Sequence, residues 1–351
     1  MEYLSICTSV AVPPKAPNEI HLPPRRPVWR LERTRLSAYF DLLAWSRSRS
    51  FDRRFVGLLG DRGVRAVHAV AHDLSFARAL VTARELDTPF YLSVHDDLSY
   101  VLRGRPDRER GCALLGSAWQ AATWRFVVTQ ALGDEYCSRY GALPYSVVSD
   151  GVEHTGLVSR PRAHGHLRVY FMGLLHLAYE ANFLALLDSL DEVGPDENSR
   201  DPSLTCRCGS LPLNSLRDRH IEVLPFDDEE TVAGDLCEAD LLYLPLPFGD
   251  EHEAFARFSL STKLVTYLGS GVPILYHGPP FGSAHDLLAA HDAAFVVTSL
   301  DRSSLTAVLR ASAARRQAVA RNALALAREK FLLQHQQQVF WEVIQDESRM
   351  A

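Results

Sequence analysis

The chain has little of what would assign it a class at once. Only six of its 351 residues are cysteine and they follow no regular spacing, so neither a disulfide framework nor a paired CxxC zinc site is expected. The thiols should be reduced and mostly buried. Basic charge is not in surplus: 37 Lys and Arg stand against 43 Asp and Glu, a formal net charge of -6, and a nucleic-acid backbone would select the opposite balance. No apolar run approaches the ~18 residues that cross a bilayer. The start, Met1 to Pro14, also lacks a basic flank followed by a long apolar stretch. A cytoplasmic protein that binds no nucleic acid is the expectation.

Several catalytic signatures are missing as well. There is no G-x-x-x-x-G-K-[ST] loop, which disfavours a P-loop hydrolase. Gly57, Gly60 and Gly63 in GLLGDRG precede a strand instead of joining a strand to a helix, so they read as a surface turn and not as a dinucleotide fingerprint. Gly269-Ser270-Gly271 is not a G-x-S-x-G elbow, and no D-x-D is present to hold a metal against a sugar nucleotide. Cys206 and Cys208 share one face of a strand without a second pair and read as packed thiols. His164 and His166, on either side of Gly165, read as solvated.

What the chain does have is alternation. With 47% hydrophobic and 23% charged residues it has the composition of a globular protein, and its length suggests two domains. Apolar runs of five to seven residues alternate with amphipathic stretches, the pattern of parallel sheets covered by helices. Strands are expected at Tyr3–Ser9, Ala66–Ala71, Phe90–His95, Phe126–Thr129 and Tyr145–Ser149, then at Leu167–Gly173, Leu204–Gly209, Ile221–Pro225, Leu241–Leu246, Pro273–Tyr276 and Ala294–Thr298. The second set is regular enough for a complete doubly wound sheet. Glu153 to Gly165 is polar and without periodicity, which marks an interdomain linker. Domains are therefore expected at 1–158 and 159–335. A terminal helix at 336–351 could pack back across the junction.

The segment 12–57 differs from the rest. It carries ten Lys or Arg against four acids, clustered prolines, and room for one helix at about 33–46 but little sheet. Two readings are open for it: a solvated arginine-rich surface, or a patch for a peripheral contact with an anionic membrane or an anionic acceptor.

The chemistry concentrates in Phe258 to Tyr276, FSLSTKLVTYLGSGVPILY. Ser261 or Ser259 can cap a short helix whose Leu264, Val265 and Leu268 face the core, and Gly271 and Pro273 end it. Lys263 is out of place. In a first helical turn its charge meets the positive end of the macrodipole, which costs roughly 0.3–1 kcal/mol if exposed. A bound anion reverses that sign. Free N–H groups, the Ser261 and Thr262 hydroxyls and an ammonium group suit a phosphate or diphosphate; a solvated lysine beside a simple cap is the alternative.

At this point the sequence resembles the retaining glycosyltransferases of family 4. FYLSVHDD (Phe90–Asp97) is similar to that family's strand ending in His-Asp. FVVTQALGDEYCSRYG with YSVVSDGVE (Phe126–Glu153) is similar to its strand, helix, Tyr-Gly and turn into the second domain. Leu167–Leu187, Ile221–Phe226, ADLLYLP (Ala239–Pro245) and Ser259–Leu275 resemble later segments in the same order.

The resemblance implies an α/β protein of GT-B architecture: two Rossmann-like, doubly wound domains facing a cleft, the N-terminal one abbreviated. It implies transfer of a hexose-type sugar from a nucleoside diphosphate donor to an acceptor hydroxyl, with retention and without a metal or other cofactor, in glycan or polysaccharide biosynthesis. The acceptor would be a glycan, a lipid-linked group or a small molecule. Ser261, Thr262 and Lys263 would hold the diphosphate, Gly173 would let the backbone approach it, and Pro225 and Phe226 would border the base. Asn182 and Thr266 would complete the donor contacts. His95, with Asp96, would face the transferred sugar, and Lys263 would stabilise the leaving group.

Three departures stand out. Phe258 and Thr266 occupy positions where the family commonly has glutamate; Leu174, Leu175 and His176 follow Gly173 in place of a basic pair; and the glycine-rich acceptor loop is absent from Ser9 to Pro24. A catalytically inactive nucleotide-sugar-binding partner and a sugar-nucleotide epimerase on the same fold are the alternatives.

Overall fold

The computed structural model describes residues 3–7, 18–21, 56–57, 59–72, 74–156, 166–195, 201–211, 214–216 and 219–346. The chain divides into two units. One takes in Met1–Val127, Gly133–Ser146 and Val343–Ala351, the other Val128–Leu132 and Val147–Glu342.

In the first unit, β1 (Ser5–Cys7) and β2 (Glu19–His21) form a parallel pair, with Ile6 opposite Ile20. β3 (Val67–Val70), β4 (Phe90–Val94), β5 (Trp124–Val127) and β6 (Tyr145–Val147) form a second sheet in that order. Every residue of β4 is buried, as an apolar run between two parallel neighbours requires. The helices are α1 (Ser75–Glu85), α2 (Leu98–Val101), α3 (Arg108–Ala121) and α4 (Gln130–Tyr140). Trp119 of α3 and Tyr136 of α4 are fully buried and meet edge to face at 5.4 Å.

Two expectations shift here. β5 starts at Trp124, two residues early, because Arg125, which looks like a strand breaker, is absorbed: its guanidinium donates to the Trp119 and Ala122 carbonyls at the end of α3, both at 2.6 Å. β2 was not expected at all; three residues reading Glu-Ile-His carry too little pattern. The helix expected at about 33–46 and most of the basic segment lie outside the described residues, as do 157–165 of the linker.

The second unit is one parallel sheet of six strands: β7 (Arg168–Met172), β8 (Ser203–Arg207), β9 (Ile221–Leu224), β10 (Leu241–Pro245), β11 (Ile274–His277) and β12 (Phe295–Val297), in the order β12-β11-β10-β7-β8-β9. This is the doubly wound arrangement expected from the sequence. Its helices are α5 (Glu180–Val193), α6 (Glu229–Glu238), α7 (Glu253–Phe258), α8 (Thr262–Ser270), α9 (Ser283–Ala290), α10 (Arg302–Leu309) and α11 (Ala313–Lys330), and α12 (Leu333–Gln345) follows.

Side-chain alternation along the strands builds two cores. Val169 and Phe171 pack with Phe183 and Leu186 of α5 and Leu305 of α10; Tyr170, Leu242 and Leu244 pack with Leu264 and Leu268 of α8 and Ala323 of α11. Each fully buried apolar side chain stabilises by roughly 1.5–3 kcal/mol. Cys206 and Cys208 are both buried in the first core, as expected, whereas Cys112, Cys137 and Cys237 are only half-buried. Strand order reverses between β7 and β10, and open sheets of this kind bind ligands beyond the carboxyl ends of the strands at that reversal. Among the described residues no helix is long and apolar enough to cross a membrane.

Candidate functional site

Gly173 directly follows strand β7, next to the reversal. Gly173 has φ +99°, a conformation that favours glycine, and its N–H donates to the Arg207 carbonyl at 3.0 Å, which holds the turn to β8. Opposite it lies α8. The helix is anchored by Tyr267, fully buried, whose hydroxyl accepts the Met172 N–H at 3.0 Å. Lys263 is four residues earlier, on the same face one turn back, and so lies against the next residue of the turn, Gly173.

Lys263 is half-buried, its Nζ 5.0 Å from the centroid of Phe171 and 5.6 Å from that of Tyr179. Cation–π contact at this range returns about 0.5–2 kcal/mol, less than burial costs the charge. Burial accordingly pushes the Lys263 pKa down to about 8. Among the described residues no carboxylate pairs with it. Ser261 sits at the N-cap with extended backbone, yet its side chain makes no capping bond, and Thr262 is exposed. The amino end of α8 therefore presents uncapped N–H groups, two hydroxyls and a cation without an acid. Such a set accommodates an anion.

The turn after Gly173 has no other cation. Leu174 and Leu177 are 76% and 63% exposed, and His176 uses Nδ1 to accept the Ala178 N–H at 3.1 Å. Beside it, at the ends of β8 and β9, Gly209 (φ +72°) donates its N–H to the Leu224 carbonyl at 3.0 Å, and the half-exposed Phe226 ring lies against it. Pro225 precedes that ring, and its carbonyl accepts from Arg207 Nη1 at 2.8 Å. Gly173, Pro225, Phe226, Ser261, Thr262 and Lys263 thus belong to the carboxyl edge of one sheet and the helix beside it.

Asn182 and Thr266 both have partners within the second unit. Asn182 is fully buried: Nδ2 donates to the Leu246 carbonyl at 2.9 Å and the His277 carbonyl at 2.8 Å, tying the ends of β10 and β11 together. It has no exposed atom for a donor, because its face of α5 is the core face beside Phe183 and Leu186. Thr266 is half-buried, with Oγ1 3.5 Å from the Thr262 carbonyl of its own helix.

In the first unit, His95 and Asp96 follow β4 at its carboxyl edge and are half-buried. His72, just beyond β3, meets His95 edge to face at 5.2 Å. The adjacent Asp97 is a structural acid: 2% exposed, it accepts from Arg139 Nη1 at 2.7 Å and caps α2 through the Ser99 N–H. Sequence reasoning missed His72, Gly209, the two rings around Lys263, and Arg207. The last had a visible signal, an arginine inside the otherwise buried run SLTCRC. Among the described residues no group of three or more His, Cys, Asp or Glu could hold a metal ion.

No family model matches this chain, and no curated protein does. Solved structures do. An α,α-trehalose 6-phosphate synthase from Burkholderia multivorans is similar over 98% of this chain and 90% of its own, with a TM-score of 0.63 at 16% identity. HepE from Anabaena, in a complex with UDP and glucose, is similar over 93% of this chain and 86% of its own, with a TM-score of 0.65 at 12% identity. The N-terminal domain of trehalose-6-phosphate phosphatase from Candida albicans covers 93% of this chain and 83% of itself, with a TM-score of 0.63 at 11% identity. The shared fold, two Rossmann-like α/β units, is the GT-B glycosyltransferase fold, and this chain has it.

Proposed function

We propose that the chain is a glycosyltransferase that moves a sugar from a nucleoside diphosphate donor to an acceptor hydroxyl. One observation carries the reading: Lys263, half-buried and without an acid among the described residues, faces the Gly173 turn at the uncapped amino end of α8. A buried cation with no counter-ion costs stability, and a diphosphate supplies the missing charge. Solved neighbours of the same fold include HepE with UDP and glucose, which supports a nucleotide-sugar donor.

In the proposed reaction the bond between the anomeric carbon and the diphosphate oxygen breaks while the acceptor oxygen bonds to that carbon from the same face, with retention, and the acceptor's proton passes to the departing diphosphate. Negative charge grows on the departing phosphate. The Lys263 ammonium, the first N–H groups of α8 and the Ser261 and Thr262 hydroxyls would stabilise it, and positioned donors of this kind are worth ~2.7–4 kcal/mol each. Pro225 and Phe226 would border the base. His95 and Asp96 would act on the transferred sugar. The acceptor is a glycan, a lipid-linked group or a small molecule, and the setting glycan or polysaccharide synthesis.

A second reading, a nucleotide-sugar-binding partner without turnover, has its own observation: neither Phe258 nor Thr266 offers a carboxylate to the donor's hydroxyls. An epimerase would convert donor with no acceptor present. The test is melting with uridine, guanosine and adenosine diphosphates, followed by product analysis with the matching sugar nucleotides. Ligand at 100 times its Kd adds ~2.7 kcal/mol. No shift with any of the three rejects all these readings, and a shift without product selects the non-catalytic partner.

A further inference from the structure

Arg207 is the least ordinary residue of the sheet. It ends β8 with a side chain only 7% exposed, yet every bond it makes leaves its own strand. Nε donates to Asp235 Oδ2 of α6 at 2.5 Å, and that oxygen also accepts the Tyr170 hydroxyl of β7 at 2.9 Å. Nη1 donates to the Pro225 carbonyl at 2.8 Å and lies 3.6 Å from Asp227. Its backbone carbonyl, meanwhile, accepts the Gly173 N–H. One residue is thus bonded to both turns of the candidate site, to one through its side chain and to the other through its main chain.

The two links differ in what a substitution removes. Any residue at 207 keeps the carbonyl that holds Gly173. Only a guanidinium can bind Asp235 through Nε and reach the Pro225 carbonyl with a second nitrogen, because its planar fork has several donors in fixed directions. The loop Pro225–Phe226 carries a half-exposed ring that lies against Gly209, and one residue before it the Leu224 carbonyl accepts the Gly209 N–H.

We propose that Arg207 is a positioning residue for the nucleoside half of the donor site, fixing the Pro225–Phe226 loop while the diphosphate half at Gly173 and Lys263 stays independent of its side chain. This rests on the donor reading above.

The test is titration calorimetry of the full chain and its variants with pyrophosphate and with uridine, guanosine and adenosine diphosphates. For the nucleotide that the wild type selects, Arg207→Met should weaken binding about tenfold or more, the scale of a lost charged hydrogen bond, with pyrophosphate affinity unchanged. Arg207→Lys keeps a cation beside Asp235, which protects folding, and should show the same split. Tyr170→Phe loosens the same cluster without touching Pro225 and should lower the melting temperature but leave nucleotide affinity alone. Unaltered nucleotide binding in both Arg207 variants overturns the proposal. So does equal loss of pyrophosphate binding, or an equal nucleotide loss in Tyr170→Phe. If the wild type binds neither pyrophosphate nor any nucleotide, the donor reading itself fails, an outcome distinct from those.

Discussion

Gly173 and Lys263 are fitted to one another: a Cβ built on Gly173 would stand 3.0 Å from Lys263 Cε and 3.7 Å from Nζ. Gly173→Ala should therefore act twice. The positive φ makes any side chain strained by about 1–3 kcal/mol, and the methyl group displaces the ammonium from the turn. The expected outcome is a lower melting temperature together with a smaller nucleotide-induced shift.

Lys263→Met separates binding from stability. The lysine is desolvated and has no acid among the described residues, so its loss should leave the melting temperature unchanged or raise it while abolishing the nucleotide-induced shift and the transfer rate. A variant that keeps full transfer activity would exclude Lys263 from the leaving-group site.

The same lysine sets a pH dependence. Its folded pKa, about 8, is below the ordinary 10.5, so between those values the unfolded chain binds the proton and the folded chain does not. Stability contributed by this group thus rises with pH across that window, and its burial penalty is complete below it. Nucleotide affinity should move the other way, falling as the ammonium is lost. Urea midpoints of wild type and Lys263→Met compared from pH 7 to 10.5 should converge towards the alkaline end.

His277 works at acid pH. Burial holds its pKa near 4, and its ring lies 2.8 Å from the Tyr243 hydroxyl and 3.0 Å from the Ser299 carbonyl. Burial, then the neighbouring His95, does the same to His68 in the first unit. The unfolded chain takes up protons from about pH 6.5 and the folded chain only near 4, so stability falls as pH falls through that interval. His277→Gln should flatten part of the slope in an acid denaturation series.

Asn182→Ala should cost about 2–4 kcal/mol, because the Leu246 and His277 carbonyls lose their donor inside the core. Nucleotide affinity of the folded fraction should not change. A selective loss of affinity with normal stability would instead return Asn182 to the donor site.

Particular residues show how far the chain could be read in advance. All eleven expected strands are present, since short runs such as FYLSV and LLYLP, apolar on both faces, suit strands buried in a parallel sheet. The core face of α8 was legible from Leu264, Val265 and Leu268, and its odd lysine from the macrodipole. Asn182 was not legible. A polar residue on a helix looks the same whether it faces a ligand or two strand carbonyls from elsewhere in the chain. Nor were His72 beside His95, or Arg207 beside Asp235, since nothing local records who the neighbour will be.

Residue order alone, then, determined the alternation of strands and helices, the doubly wound second sheet and the position of the helix start that carries Lys263, because each depends on patterns a few residues long. The tertiary structure alone decided which rings surround Lys263, which carbonyls consume Asn182 and which turns Arg207 holds. Those contacts join residues that are distant along the chain, and only the packed sheet brings them within bonding range.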